Sequence, residues 1–293
     1  MSERLAISGA SGELGRRAAQ LLLASTAVER LILVTRAPES LAHLAAAGVS
    51  VRRGDFAEPA SLRGAFAGAE RLLLISATDL DRRVEQHRAA MAAARAAGVK
   101  HVIYTSGLAP QPPNPAVVAP SHYETEQMLA SSGMAWTVLR NSLYADYQIP
   151  EATQAIATGA LVHNRGSGMA AYVAREDCAA VAAAVLLNGG HEGAVYDVTG
   201  PEAFSAASLA ALYSEIGGRH VEARSVDDAA FVAGMVGSAT GDDHLRYGAE
   251  LVASFGRSIR EGYMRSCTDT VARITGRPAT PLREVLAAAF RRV

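Results

Sequence analysis

Leu5-Ala6-Ile7-Ser8-Gly9-Ala10-Ser11-Gly12-Glu13-Leu14-Gly15 runs a short apolar strand pattern into a G-x-x-G-x-x-G turn, and helical spacing continues over Leu14–Ala24. A glycine in such a turn permits a tight bend. A glycine beside a ligand lets backbone N–H groups approach a pyrophosphate, and the following helix N-terminus offers unpaired donors and a positive dipole end. A glycine triplet alone is weak evidence, but here it stands between a strand and a helix, as dinucleotide binding requires. Gly9, Ala10, Ser11, Gly12, Glu13 and Leu14 are therefore candidate cofactor contacts.

The same alternation continues outward. Strand patterns at Arg4–Ser8, Arg30–Thr35, Ser50–Arg53, Arg71–Ile75, His101–Ser106 and Trp136–Arg140 are separated by helical ones. These lie at Leu14–Ala24, Pro38–Ala47, Ser61–Phe66, Val84–Ala97 and Ser121–Ser132. Leu31–Val34 and Leu72–Ile75 are apolar at every position, which suits parallel strands covered on both faces. Gly48, Gly98 and Gly133 stand where helices should stop. The pattern predicts an α/β fold: a Rossmann doubly wound parallel sheet with a smaller, mostly helical C-terminal substrate lobe.

Residues 1–145 form the expected nucleotide-binding domain and 146–293 the lobe, interleaved because strands from about 170–200 return to the first domain. Later elements are expected as helices at Glu151–Thr158, Arg175–Leu187, Ser208–Ile216, Asp227–Val236, Asp243–Arg257, Asp269–Thr275 and Pro281–Phe290. Strands are expected at Ala170–Val173, Ala194–Val198 and His220–Ser225. The proline-rich stretch Gly107–Pro120 leaves the carboxyl end of a strand; it reads either as a wall or lid over a site or as a surface connector.

In a chain of 293 residues, 49% hydrophobic and 19% charged residues supply a sizeable core. The net charge of −1 speaks against a nucleic-acid partner. No apolar run approaches the ~20 residues of a membrane span, and Met1-Ser2-Glu3-Arg4 does not begin a secretory leader. A cytoplasmic monomer or homodimer with no membrane partner is expected. Cys178 and Cys267 read as buried free thiols in helical stretches, a disulfide between them being the other reading, and no Cys/His cluster has metal-ligand spacing.

The second strand ends in Thr35-Arg36, where an NAD-selective site would carry an acidic residue. A guanidinium matches a ribose 2′-phosphate, so Arg36 points to NADPH, an ordinary surface arginine being the other reading. Asp55 and Phe56 follow the third strand; Asp55 could accept from an adenine amine or cap the next helix, and Phe56 could pack on the ring. Ser76, Ala77 and Thr78 follow the fourth, small enough for a nicotinamide to lie close to the backbone.

Ser8–Gly15, Val34–Pro38, Arg53–Phe56, Leu72–Ser76, Ala96–Ser106, Glu124–Leu129 and the Leu-Arg-Asn-x-Leu-Tyr run opening Leu139–Tyr147 resemble the atypical short-chain dehydrogenase/reductases of the NmrA-like group. Within it the chain looks most like type 2 NADPH:quinone oxidoreductases and triphenylmethane reductases. Gly159–Ala179 and His191–Gly193 extend the likeness over nearly the whole chain. The resemblance implies NADPH contacts at Gly9–Leu14, Arg36, Ser76 and around Asn141, with the Asn164–Gly168 turn, Gly166 included, bordering nicotinamide or substrate.

A typical short-chain dehydrogenase pairs a tyrosine with a lysine one helical turn later, the cation lowering the phenol pKa. Here His122 and Glu126 stand in those places, and Tyr123 is followed by Gln127. Alcohol chemistry is thereby disfavoured. An electron-poor conjugated acceptor such as a quinone mainly needs hydride donor and acceptor held together. His122 could donate a proton or bond a backbone carbonyl; Ser106 could keep a hydrogen-bonding role at the cofactor or close a turn. Tyr144, Tyr147 and Gly107 are candidate substrate residues, while Trp136, His87 and His101 read as structural. An NADPH-dependent reductase of a small conjugated molecule is the first expectation. A non-enzymatic NADP sensor and a secondary-metabolism tailoring enzyme are the alternatives.

Overall fold

The computed structural model describes residues 3–237 and 242–291; Met1 and Ser2 of the sequence lead-in lie outside them. In chain order the elements begin with β1 (Leu5–Ser8), α1 (Glu13–Leu23), β2 (Leu31–Thr35), α2 (Ala42–Ala46), β3 (Ser50–Arg53) and α3 (Pro59–Phe66). They continue through β4 (Arg71–Leu74), α4 (Arg83–Ala96), β5 (His101–Gly107), α5 (Ala119–Ala130) and β6 (Ala135–Asn141). Next come α6 (Gln148–Thr158), β7 (Ala160–His163), β8 (Met169–Ala170), α7 (Arg175–Leu187), β9 (Ala194–Val198) and β10 (Phe204–Ser205). The chain ends with α8 (Ala206–Gly217), β11 (Glu222–Ser225), α9 (Asp228–Val236), α10 (Asp243–Arg260), α11 (Thr270–Thr275) and α12 (Leu282–Phe290).

Seven strands form one parallel sheet in the order β3-β2-β1-β4-β5-β6-β9. Strand order reverses between β1 and β4, so a crevice opens at their carboxyl ends. The period-2 alternation of side chains splits the core in two. Leu5, Ile7, Leu31, Leu33, Leu73, Ile103 and Leu139 pack under α1 and α7. Ala6, Ile32, Val34, Leu72, Leu74, Val102 and Tyr104 pack under α3, α4 and α5. Each fully buried leucine contributes about 1.5–3 kcal/mol. The exposed pairs Arg53–Glu58 and Arg224–Glu222 are screened by solvent and add little, so the sheet is held by its two apolar faces.

A third core, built from α6, β7, β8, α8 and α12 with Leu161, Tyr172, Leu209, Tyr213 and Leu286, lies outside the sheet. β7 pairs in parallel with β11, and β8 pairs antiparallel with β10. Several expectations need correction here. The Ala170–Val173 strand is only Met169–Ala170, with an isolated bridge between Val173 and Tyr144. Pro38–Ala47 is a 3₁₀ turn over Pro38–Leu41 followed by α2, because proline fits a first turn but starts no long helix here. Strand β7 was not foreseen; its alternating burial is the period-2 signal, too short to stand out in sequence. Cys178 is buried in α7, but Cys267 is exposed and outside any helix, and both thiols are free.

The C-terminal segment is anchored through one buried carboxylate. Asp177, fully buried on α7, accepts hydrogen bonds from the Thr280 backbone N–H at 2.6 Å, the Thr280 hydroxyl at 3.2 Å and Arg277 Nη1 at 2.6 Å. Asp177→Ala leaves the partly buried Thr280 N–H and hydroxyl and the half-exposed Arg277 without their acceptor. It should destabilise by about 2–4 kcal/mol, read as a lowered chemical-denaturation midpoint with unchanged m-value. A loss below about 0.5 kcal/mol would show that water satisfies the same donors.

Candidate functional site

The candidate residues of the first half gather at the carboxyl ends of β1, β2, β3, β4, β5 and β6. After β1 the chain bends at Gly9, whose φ of +64° favours glycine. The Gly12 N–H donates to Gly9 O at 3.0 Å and the Ala10 N–H to Val34 O at 3.1 Å, which sets the turn. α1 opens without a side-chain cap, leaving first-turn amides to a ligand. A Cβ on Gly15 would sit 2.8 Å from Ala10 Cα and closer still to Gly9 O, so glycine there permits helix and turn to touch.

Ser11 Oγ and Thr35 Oγ1 lie 2.7 Å apart, tying this turn to the end of β2. Arg36 follows, exposed and without an ion-pair partner among the described residues. Asp55 does not cap α3; its Oδ1 accepts from the Ala57 N–H at 2.9 Å, and the cap position is Glu58. Phe56 packs edge-on against His87, ring centroids 6.3 Å apart. The Ser76–Thr78 loop is fixed from behind: the Ser76 N–H donates to Thr105 Oγ1 at 3.0 Å and the Ala77 N–H to His87 Nε2 at 2.9 Å.

Gly107, His122 and Asn141 meet around a small apolar pocket, completed by Leu108, Pro110, Ala116, Leu143, Phe255 and Met264. The proline-rich stretch is thus a wall of this pocket. Its Asn114 donates to Ala109 O at 2.7 Å, and its Val117 N–H donates to Ser254 Oγ on α10 at 3.1 Å. Asn141 Oδ1 is buried with no hydrogen-bond partner, while its Nδ2 reaches Tyr144 Oη only at 3.4 Å. A buried orphan acceptor is costly and suits a ligand N–H such as a carboxamide. Together with the uncapped helix and glycine turn, it makes these residues fit a nicotinamide dinucleotide.

Histidine 122 has partners that neither sequence expectation named. Arginine only donates, so Arg83 Nη1, 3.3 Å away, makes His122 Nε2 an acceptor. The ring proton then sits on Nδ1 and points to Tyr104 Oη at 2.7 Å. Burial and the neighbouring Arg83 hold the His122 pKa well below 6.5, so the ring is neutral and no proton faces the pocket. Donation by His122 is therefore corrected to a positioning role. The Ser106 hydroxyl donates to Glu126 at 2.6 Å, and Glu126 accepts two bonds from Arg140 at 3.0 and 2.7 Å. The lysine place on α5 thus holds a buried carboxylate paired with arginine.

Tyr144 and Tyr147 face each other at 5.9 Å with Arg175 over both rings, 4.9 and 5.3 Å from the centroids. Arg175 also pairs with Glu13 at the start of α1. Burial, first of all, pushes the Tyr144 phenol pKa up, so it stays protonated. Gly166 lies apart from the pocket lining: its φ is +52° and a Cβ there would meet Arg260 Cγ at 3.1 Å. Its turn is fastened to α10, where Arg260 donates to Asn164 O at 2.8 Å and Asn164 Nδ2 donates to Ala253 O at 2.9 Å. Phe255, Met264, Arg83 and Arg175 were missed in sequence because each sits in an ordinary helical or loop context.

The model of the NAD(P)H-binding family matches residues 9–189. The chain belongs to that family. Over 286 residues it is 34% identical to quinone oxidoreductase 2 of Escherichia coli, covering 98% of each chain. The NADPH complex of that enzyme superposes with a TM-score of 0.92, covering 98% of this chain and 99% of the other. The NADP(H) complex of a Citrobacter triphenylmethane reductase, 33% identical, gives 0.88 with coverage of 98% and 99%. An NmrA-like family domain-containing oxidoreductase of Aspergillus flavus is 30% identical over 97% of this chain and 94% of its own length. The turn and strand ends that build the site of this NAD(P)H-binding protein fall inside the matched span, whereas Phe255 and Met264 lie beyond it.

Acid should destabilise the fold through two buried histidines, His87 behind the Ser76–Thr78 loop and His101 at the start of β5. Burial lowers the His87 pKa to about 3 and the His101 pKa to about 4, mainly by desolvation. Unfolded histidine titrates near 6.5, so the neutral folded rings contribute stability fully above that pH. Below it the unfolded state takes up protons first. Stability should fall by about 1.4 kcal/mol per pH unit for each ring, down to about pH 4 for His101 and about pH 3 for His87. Urea midpoints at pH 7, 6 and 5 check this; for His87→Gln the slope should shrink. A midpoint independent of pH over that range would refute it.

Proposed function

We propose that this protein is an NADPH-dependent reductase that delivers hydride to a quinone or a similar electron-poor conjugated acceptor. The observation that carries the reading is the apolar pocket at the carboxyl ends of β5 and β6, where Gly107 and the orphan Asn141 Oδ1 border one wall. Gly9–Leu14 would receive the pyrophosphate, Arg36 the 2′-phosphate, Asp55 and Phe56 the adenine side, and Ser76–Thr78 with Asn141 the nicotinamide half. Bound there, NADPH supplies a hydride. Tyr144, Tyr147 and Gly107 would line the acceptor's side, and the proton for the reduced product comes from water.

On α5 the absence of a Tyr/Lys pair matters little for such an acceptor, because the oxyanion formed by hydride addition to a quinone is itself comparatively stable. Residues 1–145 with the returning strand β9 serve as the cofactor domain, and 146–293 as the substrate lobe. Among the described residues no helix is long and apolar enough to cross a membrane, and no group of three His, Cys, Asp or Glu could hold a metal ion. A cytoplasmic monomer or homodimer with neither membrane nor nucleic-acid partner completes the reading. Purified protein should oxidise NADPH when given benzo- and naphthoquinones, followed at the reduced-nicotinamide absorbance. Tight NADPH binding with no acceptor-dependent oxidation across the panel would leave a cofactor sensor in its place.

A further inference from the structure

Four Asp, Glu or Arg side chains are buried in the described structure: Arg71, Arg83, Glu126 and Asp177. Three have a countercharge, since Arg71 lies 3.8 Å from Glu3, Glu126 pairs with Arg140 and Asp177 with Arg277. Arg83, only 6% exposed, has none. Its Nε donates to Ala77 O at 2.7 Å and its Nη1 to Ser121 Oγ and His122 Nε2, both at 3.3 Å. All three acceptors are neutral, and no carboxylate of the described residues lies within 4 Å of the guanidinium.

A buried unpaired charge is expensive in a protein interior, and a fold that needed only shape would place a neutral side chain there. The charge stands directly behind the pocket. His122, its partner, lines that pocket beside Gly107, whose added Cβ would meet His122 Cδ2 at 3.2 Å. The pocket lining carries no charged side chain of its own, so nothing local screens the guanidinium. Arg83 also holds Ala77, in the loop after β4, from the same side.

We propose that Arg83 is the specificity-determining charge of this site: acting through His122, it makes the pocket favour acceptors that are anionic or become anionic over acceptors that are cationic. This rests on reading the pocket as the acceptor site. A neutral quinone that gains a hydride (two electrons and one proton) from NADPH, which leaves as NADP⁺, becomes a hydroquinone monoanion. One proton from water then completes the hydroquinone. A triphenylmethyl cation gaining the same hydride becomes a neutral leuco compound, but it must first bind as a cation against Arg83. The positive charge stabilises the anion formed in the first case and opposes ground-state binding in the second.

The test reads charge through the change in an affinity ratio between wild type and variants, using two redox-inert ligands on the same ring, 2-naphthoate and 2-naphthyltrimethylammonium, titrated calorimetrically into the NADPH-loaded protein. The wild type should bind the anion more tightly. In Arg83→Met and Arg83→Gln the anion-to-cation affinity ratio should fall by roughly tenfold or more, whereas Arg83→Lys, which keeps the charge, should retain it. A purely structural Arg83 would weaken both ligands alike in all three variants. Wild-type protein that prefers the cation or binds neither ligand overturns the proposal even if no variant folds; so does an unchanged ratio in Arg83→Met. Failure to reduce any quinone despite a charge-dependent ratio would instead overturn the reductase reading and leave this assignment standing.

Discussion

Gly12→Val should abolish NADPH binding, with the dissociation constant rising by at least roughly a hundredfold, while the thermal midpoint moves little. Gly12 occupies the cap position of α1 with an ordinary extended backbone, φ −74° and ψ 166°. A Cβ there meets Gly9 O at 3.3 Å, tight but accommodated by a small shift. The fold therefore tolerates a side chain. What is lost is the open approach to the first-turn amides, which a branched residue covers. Gly15→Val gives the opposite signature: its Cβ is driven into the backbone of Gly9 and Ala10, so stability and binding fall together. Fluorescence titration of NADPH alongside thermal melts distinguishes the two. Unchanged affinity in Gly12→Val would remove this turn from the cofactor site.

Replacing Arg36 by glutamate should weaken NADPH binding by roughly a hundred- to a thousandfold, from the lost charge-assisted contact and the added repulsion. NADH should lose little and could gain, since a carboxylate at this strand end accepts from a ribose 2′-hydroxyl. The side chain is exposed and unpaired among the described residues, so nothing else in the protein pays for its removal. The backbone around it is held independently, by the Ser11–Thr35 hydroxyl pair and by the Ala37 N–H donating to Thr35 Oγ1 at 3.2 Å. Equal changes in affinity for the two cofactors would overturn the 2′-phosphate assignment and leave Arg36 an ordinary surface charge.

The parallel sheet was legible because its signals are local. Leu31–Val34 and Leu72–Leu74 are apolar at consecutive positions, and each is followed by a helix-period stretch. Elements of the outer lobe were less legible. β7 is four residues long and pairs with β11, Ala160 opposite Glu222, a contact that no short-range periodicity encodes. The Ser106–Glu126–Arg140 cluster shows the same limit in the site. Each residue has several plausible local roles, and only the meeting of β5, α5 and β6 assigns one.

By itself the sequence determined the strand–turn–helix at Leu5–Leu21 and with it a dinucleotide fold, because a glycine turn between two elements is set by backbone sterics over a dozen residues. It also placed the candidate cofactor positions at successive strand ends. Tertiary structure alone decided the state of His122. That state depends on Arg83 from α4 and Tyr104 from β5 closing around one ring, and on burial that no single segment reveals. It likewise decided that Phe255 and Met264 face Gly107 across a pocket. Charge and solvation at a buried point are sums over every element that packs there, and the chain order does not contain that sum.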